Sequence, residues 1–231
     1  MRVGIHQPHY VPWLRYLQKI AASDVFILLD DVAYTKNGWQ NRNKIKCATG
    51  WMYLTAPVQA ALNQPICEVR IAPGDWASKH LGSLESNYRR APFYDHHIPC
   101  FRDLFCRPWT RLRDLNEAVL DYTLKELGIQ TRIVRSSDLN VPGMATERLI
   151  NLCRTVGGDS YYSGEYAVHA YLDASAFERA GIALEFQQWS CPEYPQQFPK
   201  AGFVADLSIV DLLFNVGPDA LDVLLRGGAG C

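Results

Sequence analysis

Apolar and polar positions come in blocks from the start of the chain. Residues 3–5 form a short apolar run that stops at a polar pair, His6 and Gln7. Two prolines, Pro8 and Pro12, then bracket His9, Tyr10 and Val11. From Pro12 to Ala22 the apolar residues Leu14, Leu17, Ile20 and Ala21 fall at helical spacing, and proline is tolerated in a first helical turn. A second apolar run, residues 25–29, ends in adjacent carboxylates, Asp30 and Asp31. The pattern predicts a strand–helix–strand unit. Parallel strands of such a unit bring their C-terminal ends to one edge of the sheet, where open α/β sheets bind ligands. A site made of His6, Gln7, Asp30 and Asp31 is the expectation.

Beyond residue 34 the chain turns polar and basic as far as Lys46, which predicts a functional loop leading into a hairpin. The hairpin should turn at Thr49-Gly50 and return through residues 52–58, with a further strand at 66–71. Helical spacing follows over 76–89, 93–105 and 112–127, the last stopped by Gly128. Strands are expected at 131–135, up to Ser163-Gly164, and at 182–186. Helices are expected at 146–156, 174–180, 207–214 and 220–225, with a frayed tail at 226–231. Strands alternating with helices at both ends argue for an α/β fold. The expectation is a single domain over 1–231, with a mostly parallel, Rossmann-like sheet and a helical insertion at about 75–128.

Composition narrows the function classes. The chain has 231 residues, 48% of them hydrophobic and 20% charged, with a formal charge of −1, which suits a globular protein with a core rather than a nucleic-acid binder. No apolar run approaches the ~18 residues that span a membrane, and no signal-peptide pattern opens the chain. Seven scattered cysteines with no C-x-x-C fit reduced thiols and a cytoplasmic location.

Candidate chemistry follows from residue type and place. His6 is a candidate general base and Gln7 a substrate-orienting amide, because an imidazole titrates near neutral pH. His9, close by, is a candidate substrate contact. Asp30 and Asp31 could hold a metal or an amine, or simply form a salt bridge to Lys36 or Arg42. Adjacent residues at a strand end should point in opposite directions. In residues 41–46 an extended backbone puts Asn41 and Asn43 on one face and Arg42, Lys44 and Lys46 on the other, a potential phosphate or carboxylate clamp. The competing reading is a charged sheet edge. Ser163 lacks the Gly-x-Ser-x-Gly nucleophile elbow, and neither a P-loop nor a G-x-G-x-x-G fingerprint is present. Tyr171, Tyr194 and Gln196 are candidates for a polar pocket wall. His96, His97 and Cys100 with Cys106 lack a standard zinc spacing, so no metal site is expected. A Cys153–His169 or Cys191–His169 pair would suit acyl transfer from a thioester, and sequence distance neither supports nor excludes it.

The motifs His6-Gln-Pro-His-Tyr-Val-Pro-Trp13, Asp24-Val-Phe-Ile-Leu-Leu-Asp-Asp-Val32 and Tyr34-Thr-Lys-Asn-Gly-Trp-Gln-Asn-Arg-Asn-Lys-Ile-Lys46 resemble the WbqC-like family. So do Tyr162-Ser-Gly164, Tyr171-Leu-Asp173, Pro192-Glu-Tyr-Pro-Gln196 and the segment Leu207-Ser-Ile-Val-Asp-Leu-Leu-Phe-Asn215. Arg15 stands where that family leads one to expect glycine, residues 165–169 replace a Gly-rich segment, and Cys191 stands in place of histidine. The resemblance implies a bacterial tailoring transferase of surface-polysaccharide or other carrier-linked biosynthesis, such as one moving glycine or another acyl group onto an amino sugar. Tyr10, Lys36, Asn41, Arg42, Lys44, Ser163, Tyr171, Tyr194 and Gln196 would then contact a small-molecule or carrier-protein-linked substrate. A phosphopantetheine-carried donor fits that reading, with no other cofactor, no membrane and no nucleic acid. An ATP-dependent ligase of the same fold and a non-catalytic partner in a biosynthetic complex are the alternatives.

Overall fold

Each residue of the apolar segment Val25–Leu28 is buried, as a strand covered on both faces requires. In the computed structural model, which describes residues 1–164 and 172–227, the chain runs β1 (Arg2–His6), α1 (Leu14–Ala21), β2 (Val25–Leu28), β3 (Arg42–Cys47), β4 (Gly50–Thr55), β5 (Val58–Gln59) and β6 (Arg70–Ile71). Helices α2 (Trp76–Tyr88), α3 (Tyr94–Cys106) and α4 (Leu112–Leu127) follow. The remainder is β7 (Arg132–Arg135), α5 (Ser136–Leu139), α6 (Ala145–Thr155), β8 (Ser160–Gly164), α7 (Ala174–Arg179), β9 (Ala183–Gln187), α8 (Ile209–Val216) and α9 (Ala220–Arg226).

Five strands form one sheet in the order β7-β2-β1-β8-β9, and every pairing is parallel. Alternation along the strands sorts the core into two layers. Val3, Ile5, Val25 and Ile27 pack with Leu149, Leu152 and Cys153 of α6 and Phe177 of α7. Phe26 and Leu28 face the other way, onto Leu14, Leu17 and Ile20 of α1 and Leu115 and Val119 of α4. Helices on both faces of a parallel sheet make the doubly wound α/β architecture expected from the sequence. Numbering only the sheet strands in chain order gives 3-2-1-4-5, which reverses direction between β1 and β8. Gly4 of β1 packs closely against the α1–β2 loop and β2: a Cβ there would sit 2.6 Å from Ser23 Oγ and 2.7 Å from Phe26 Cδ2.

The segment between β2 and β7 carries the insertion. It begins earlier than the helical stretch expected, because the β3–β4 hairpin and the short β5–β6 pair precede α2 and α3. The hairpin register, Cys47↔Gly50 through Arg42↔Thr55, puts the turn at Ala48-Thr49, one residue before the expected Thr49-Gly50, with Gly50 opening β4. The strand expected at 66–71 is a 3-10 turn, Ile66–Glu68, followed by the two residues of β6. No helix of the described residues is long and apolar enough to cross a membrane.

Candidate active site

The parallel ladder between β1 and β2 runs to His6↔Leu28, but that between β1 and β8 stops at Gly4↔Tyr162. The two strands part at their C-terminal ends. The carbonyl of Ile5 accepts instead from Lys19 Nζ at 2.8 Å, delivered by α1. The gap opens into a cavity of about 480 Å³ walled by His6, His9, Trp13 and Trp39, with Tyr16 and Lys19 from α1 and Gly164 and Gln187 from β8 and β9. A second cavity of about 430 Å³ lies against the opposite layer, where Gln7, Arg148 and Tyr161 meet His6. The end of β1 is therefore open on both sides.

The loop from β1 to α1 is held in an unusual shape. Val11 is fully buried and has φ of 35°, a left-handed value that a β-branched residue rarely adopts. Its carbonyl and that of Tyr10 accept from Asn43 Nδ2 of β3, at 3.0 and 3.2 Å. Ile209 N donates to Pro12 O, and Tyr10 N to Trp39 O. The insertion and the C-terminal segment thus clamp the loop that carries His6 and His9. Strain of this kind persists only where the surroundings enforce it.

Burial sets the protonation states. His6 is packed edge-on against His9 and Tyr16, with ring centroids 4.7 and 5.4 Å away. Burial, assisted by the charge of Lys19 and opposed by the carbonyl of Gln7, lowers its pKa to about 4. That carbonyl lies 3.2 Å from Nδ1, and since a carbonyl only accepts, Nδ1 carries the proton and Nε2 keeps its lone pair. Burial also holds His9 well below its ordinary value. Lys19, 3% exposed, is brought down by burial to about 7. At neutral pH both imidazoles are uncharged and the lysine is poised between its two forms. His9 stacks on Tyr16 at 4.6 Å, and His9 Nδ1 and the Tyr16 hydroxyl are buried polar atoms with no hydrogen-bond partner. Unsatisfied groups on a cavity wall are ready to receive a ligand's polar atoms.

The other sequence candidates disperse. Gln7 accepts from Gln40 Nε2 at 2.7 Å and faces the second cavity. Asp30 is fully buried and fully engaged: Oδ1 accepts from Ser137 N at 3.0 Å, and Oδ2 from Arg113 Nη1 at 2.9 Å and Ser137 Oγ at 2.8 Å. Asp31 accepts from Ser136 Oγ at 2.6 Å and pairs with Arg148. Both carboxylates reach Ser136, contrary to the expected divergence, because β2 ends at Leu28 and strand alternation no longer applies. Their salt-bridge partners are arginines from α4 and α6, not Lys36 or Arg42. Lys36 is exposed. Tyr10 is buried in the core beside His80 and Phe105 and does not line the cavity. Asn41 ties Tyr34 to Ala56 at 2.8 Å on each side.

Arg42 and Lys44 do share a face of β3, but the third cation does not join them. Lys46 is buried, bonded to Gln196 Oε1 at 3.2 Å and to the carbonyl of Gly202. Arg42 lies 4.3 Å over Tyr53, and Lys44 Nζ 4.3 Å over Trp51 and 5.7 Å from Trp39. Trp39 in turn stacks on Trp13 at 5.0 Å, so an aromatic and cationic strip continues from the cavity wall along the hairpin. Tyr194 and Gln196 are away from the cavity, Gln196 serving as the partner of Lys46. Ser163 is buried behind Gly164. Tyr171 and His169 lie outside the described residues. Burial pushes the thiols of Cys191 and Cys153 up, the latter to about 12, opposite to what a thiolate nucleophile needs.

Sequence reasoning missed Lys19, Tyr16 and Trp39. The signal was the i, i+3 spacing of Tyr16 and Lys19, which places a cation beside the aromatic on the inner side of α1.

The sheet order and the crevice at its reversal define a doubly wound α/β protein whose cavity lies between β1 and β8, where such folds commonly bind ligands. The chain belongs to the WbqC-like protein family, whose model matches residues 7–223. It is 37% identical over 227 residues to the uncharacterized protein Rv1507c of Mycobacterium tuberculosis, covering 96% of this chain and 97% of that one. No solved structure matches it.

Proposed function

We propose that the protein is a group-transfer enzyme that acylates an amine or hydroxyl of a nucleotide- or carrier-linked substrate at the parting of β1 and β8. The observation that carries the reading is the buried amine of Lys19 at the carbonyl of Ile5, inside a cavity walled by His6, His9 and Tyr16. A lysine lowered to about 7 is matched to proton transfer at neutral pH, whereas His6, at about 4, is a weak base. In this reading the acceptor nitrogen forms a bond to the donor's acyl carbon and passes its proton to Lys19 Nζ. The bond from that carbon to the thiol sulfur of a thioester donor breaks, and the departing thiolate takes the proton. His6 Nε2 accepts a hydrogen bond from the acceptor, and the Tyr16 hydroxyl donates to the developing oxyanion. Arg42 and Lys44 hold phosphates on the hairpin strip. Asp30 and Asp31 position the end of β2 rather than touch substrate.

The test is the pH dependence of turnover on a panel of nucleotide-linked amino sugars with thioester donors. The limb of kcat/KM should rise with a midpoint near 7, and Lys19→Met should abolish it. A limb near pH 4 that survives in Lys19→Met would return the role of base to His6. An absolute requirement for Mg²⁺-ATP would favour ligation over direct transfer.

A further inference from the structure

Away from the sheet edge, the first turn of α3 meets the last turn of α4. His96 and His97 stand on α3, and Glu126 reaches them from α4. Glu126 Oε2 lies 3.5 Å from His96 Nε2 and 3.7 Å from His97 Nδ1, and the three candidate ligand atoms lie within 4.8 Å of one another. A tetrahedral zinc site with bonds of about 2.0–2.1 Å has ligand-to-ligand edges of about 3.3–3.4 Å. Two of the three edges already come within a few tenths of an ångström of that spacing. We propose that His96, His97 and Glu126 form a binding site for a zinc-class divalent ion that clips α3 to α4.

The surroundings favour it. The ring of His97 is buried and stacked on Phe214 with an interplanar angle of 20°, which fixes its orientation. The Tyr122 hydroxyl, one turn before Glu126, lies 2.7 Å from Nδ1, and a metal ion on that nitrogen would replace this hydrogen bond. His96 is 67% exposed at its side chain, which leaves a path from solvent and an open coordination position for water. Two imidazoles with one carboxylate suit zinc rather than magnesium or calcium, which prefer oxygen. The site was illegible as a spacing because its third ligand comes from a different helix. It is independent of the proposed catalytic crevice, so its test reads binding rather than turnover.

Full-length, untagged protein stripped with a chelator is titrated with ZnCl₂ by calorimetry. The expected result is one saturable equivalent with a micromolar or tighter Kd and a raised Tm. His96→Ala and Glu126→Gln should each weaken binding by about tenfold or more while leaving the metal-free Tm in place. A Cys100→Ala, Cys106→Ala protein should bind as the unmodified chain does. Absence of a saturable equivalent overturns the proposal. So does binding that both His96→Ala and Glu126→Gln leave intact, or that only the cysteine substitutions remove.

Discussion

Lys19 places an amine among apolar and aromatic neighbours, and the cost can be read as a function of pH. Its pKa falls from 10.5 to about 7 on folding, with burial as the main cause. Between those values the unfolded chain holds a proton that the folded chain lacks, so this residue makes stability rise with pH across the window of about 7 to 10.5. Below it the full penalty remains. Lys19→Met should therefore flatten the stability–pH profile between pH 7 and 10 and leave Tm at pH 7 unchanged or higher, while removing activity. Denaturant titrations at several pH values check the sign. A functional residue that stabilises the fold when removed is the expected signature of a strained site. Lys19 was hard to read in the sequence because one lysine in a short amphipathic helix resembles a solvated position. Asp30 and Asp31 show the opposite case: their place at a strand end suggested ligand contact, and the structure engages them with Ser136, Arg113 and Arg148, all remote in sequence.

At the scale of elements, legibility tracked how locally each was determined. The helix Leu112–Leu127 was readable to the residue, because its apolar spacing ends at Gly128, whose φ of 67° closes the helix in the left-handed region. Val58–Gln59 and Arg70–Ile71 were not, since two-residue strands exist only by virtue of the partner across the chain. The hairpin was readable, but not its purpose. Its Asn43 faces inward, as alternation predicts, and there holds the Tyr10 and Val11 carbonyls rather than a substrate. Asn43→Ala should leave those buried carbonyls unsatisfied, at a cost of about 1–3 kcal/mol in urea titrations. It should also lower kcat/KM, because the loop bearing His6 and His9 would lose its clamp. An Asn43→Ala protein with normal turnover and reduced stability would show that loop shape and chemistry are uncoupled.

For the whole molecule, the 3-2-1-4-5 order joins two layers through a small number of fixed points at the C-terminal edge. Asp30 is one of them: it binds the end of β2 to Arg113 of α4 and to Ser137 just beyond β7. Arg113 is 15% exposed at its side chain, so Asp30→Ala would leave a largely buried guanidinium with only its longer ion pairs to Asp114 and Glu117, at 3.6 and 3.9 Å. The expected loss is about 3–5 kcal/mol of global stability, read as a lower denaturation midpoint. The surviving folded fraction should bind ligand with unchanged affinity. A selective loss of binding with normal stability would give the carboxylate back its role in the site.

The clamp on the β1–α1 loop has a consequence for how the protein comes into being on the ribosome. His6 and His9 are synthesised well before the atoms that fix their loop: Asn43 from the hairpin, then the amide of Ile209 on Pro12 O and that of Ser208 on Lys44 O, both at 2.8 Å. A nascent chain can complete the first strand early and still lack a shaped crevice until the last helices leave the exit tunnel. The amino-terminal site is among the last parts of the protein to be finished, and a chain arrested before Ser208 should retain parallel sheet but offer nothing for a ligand to hold.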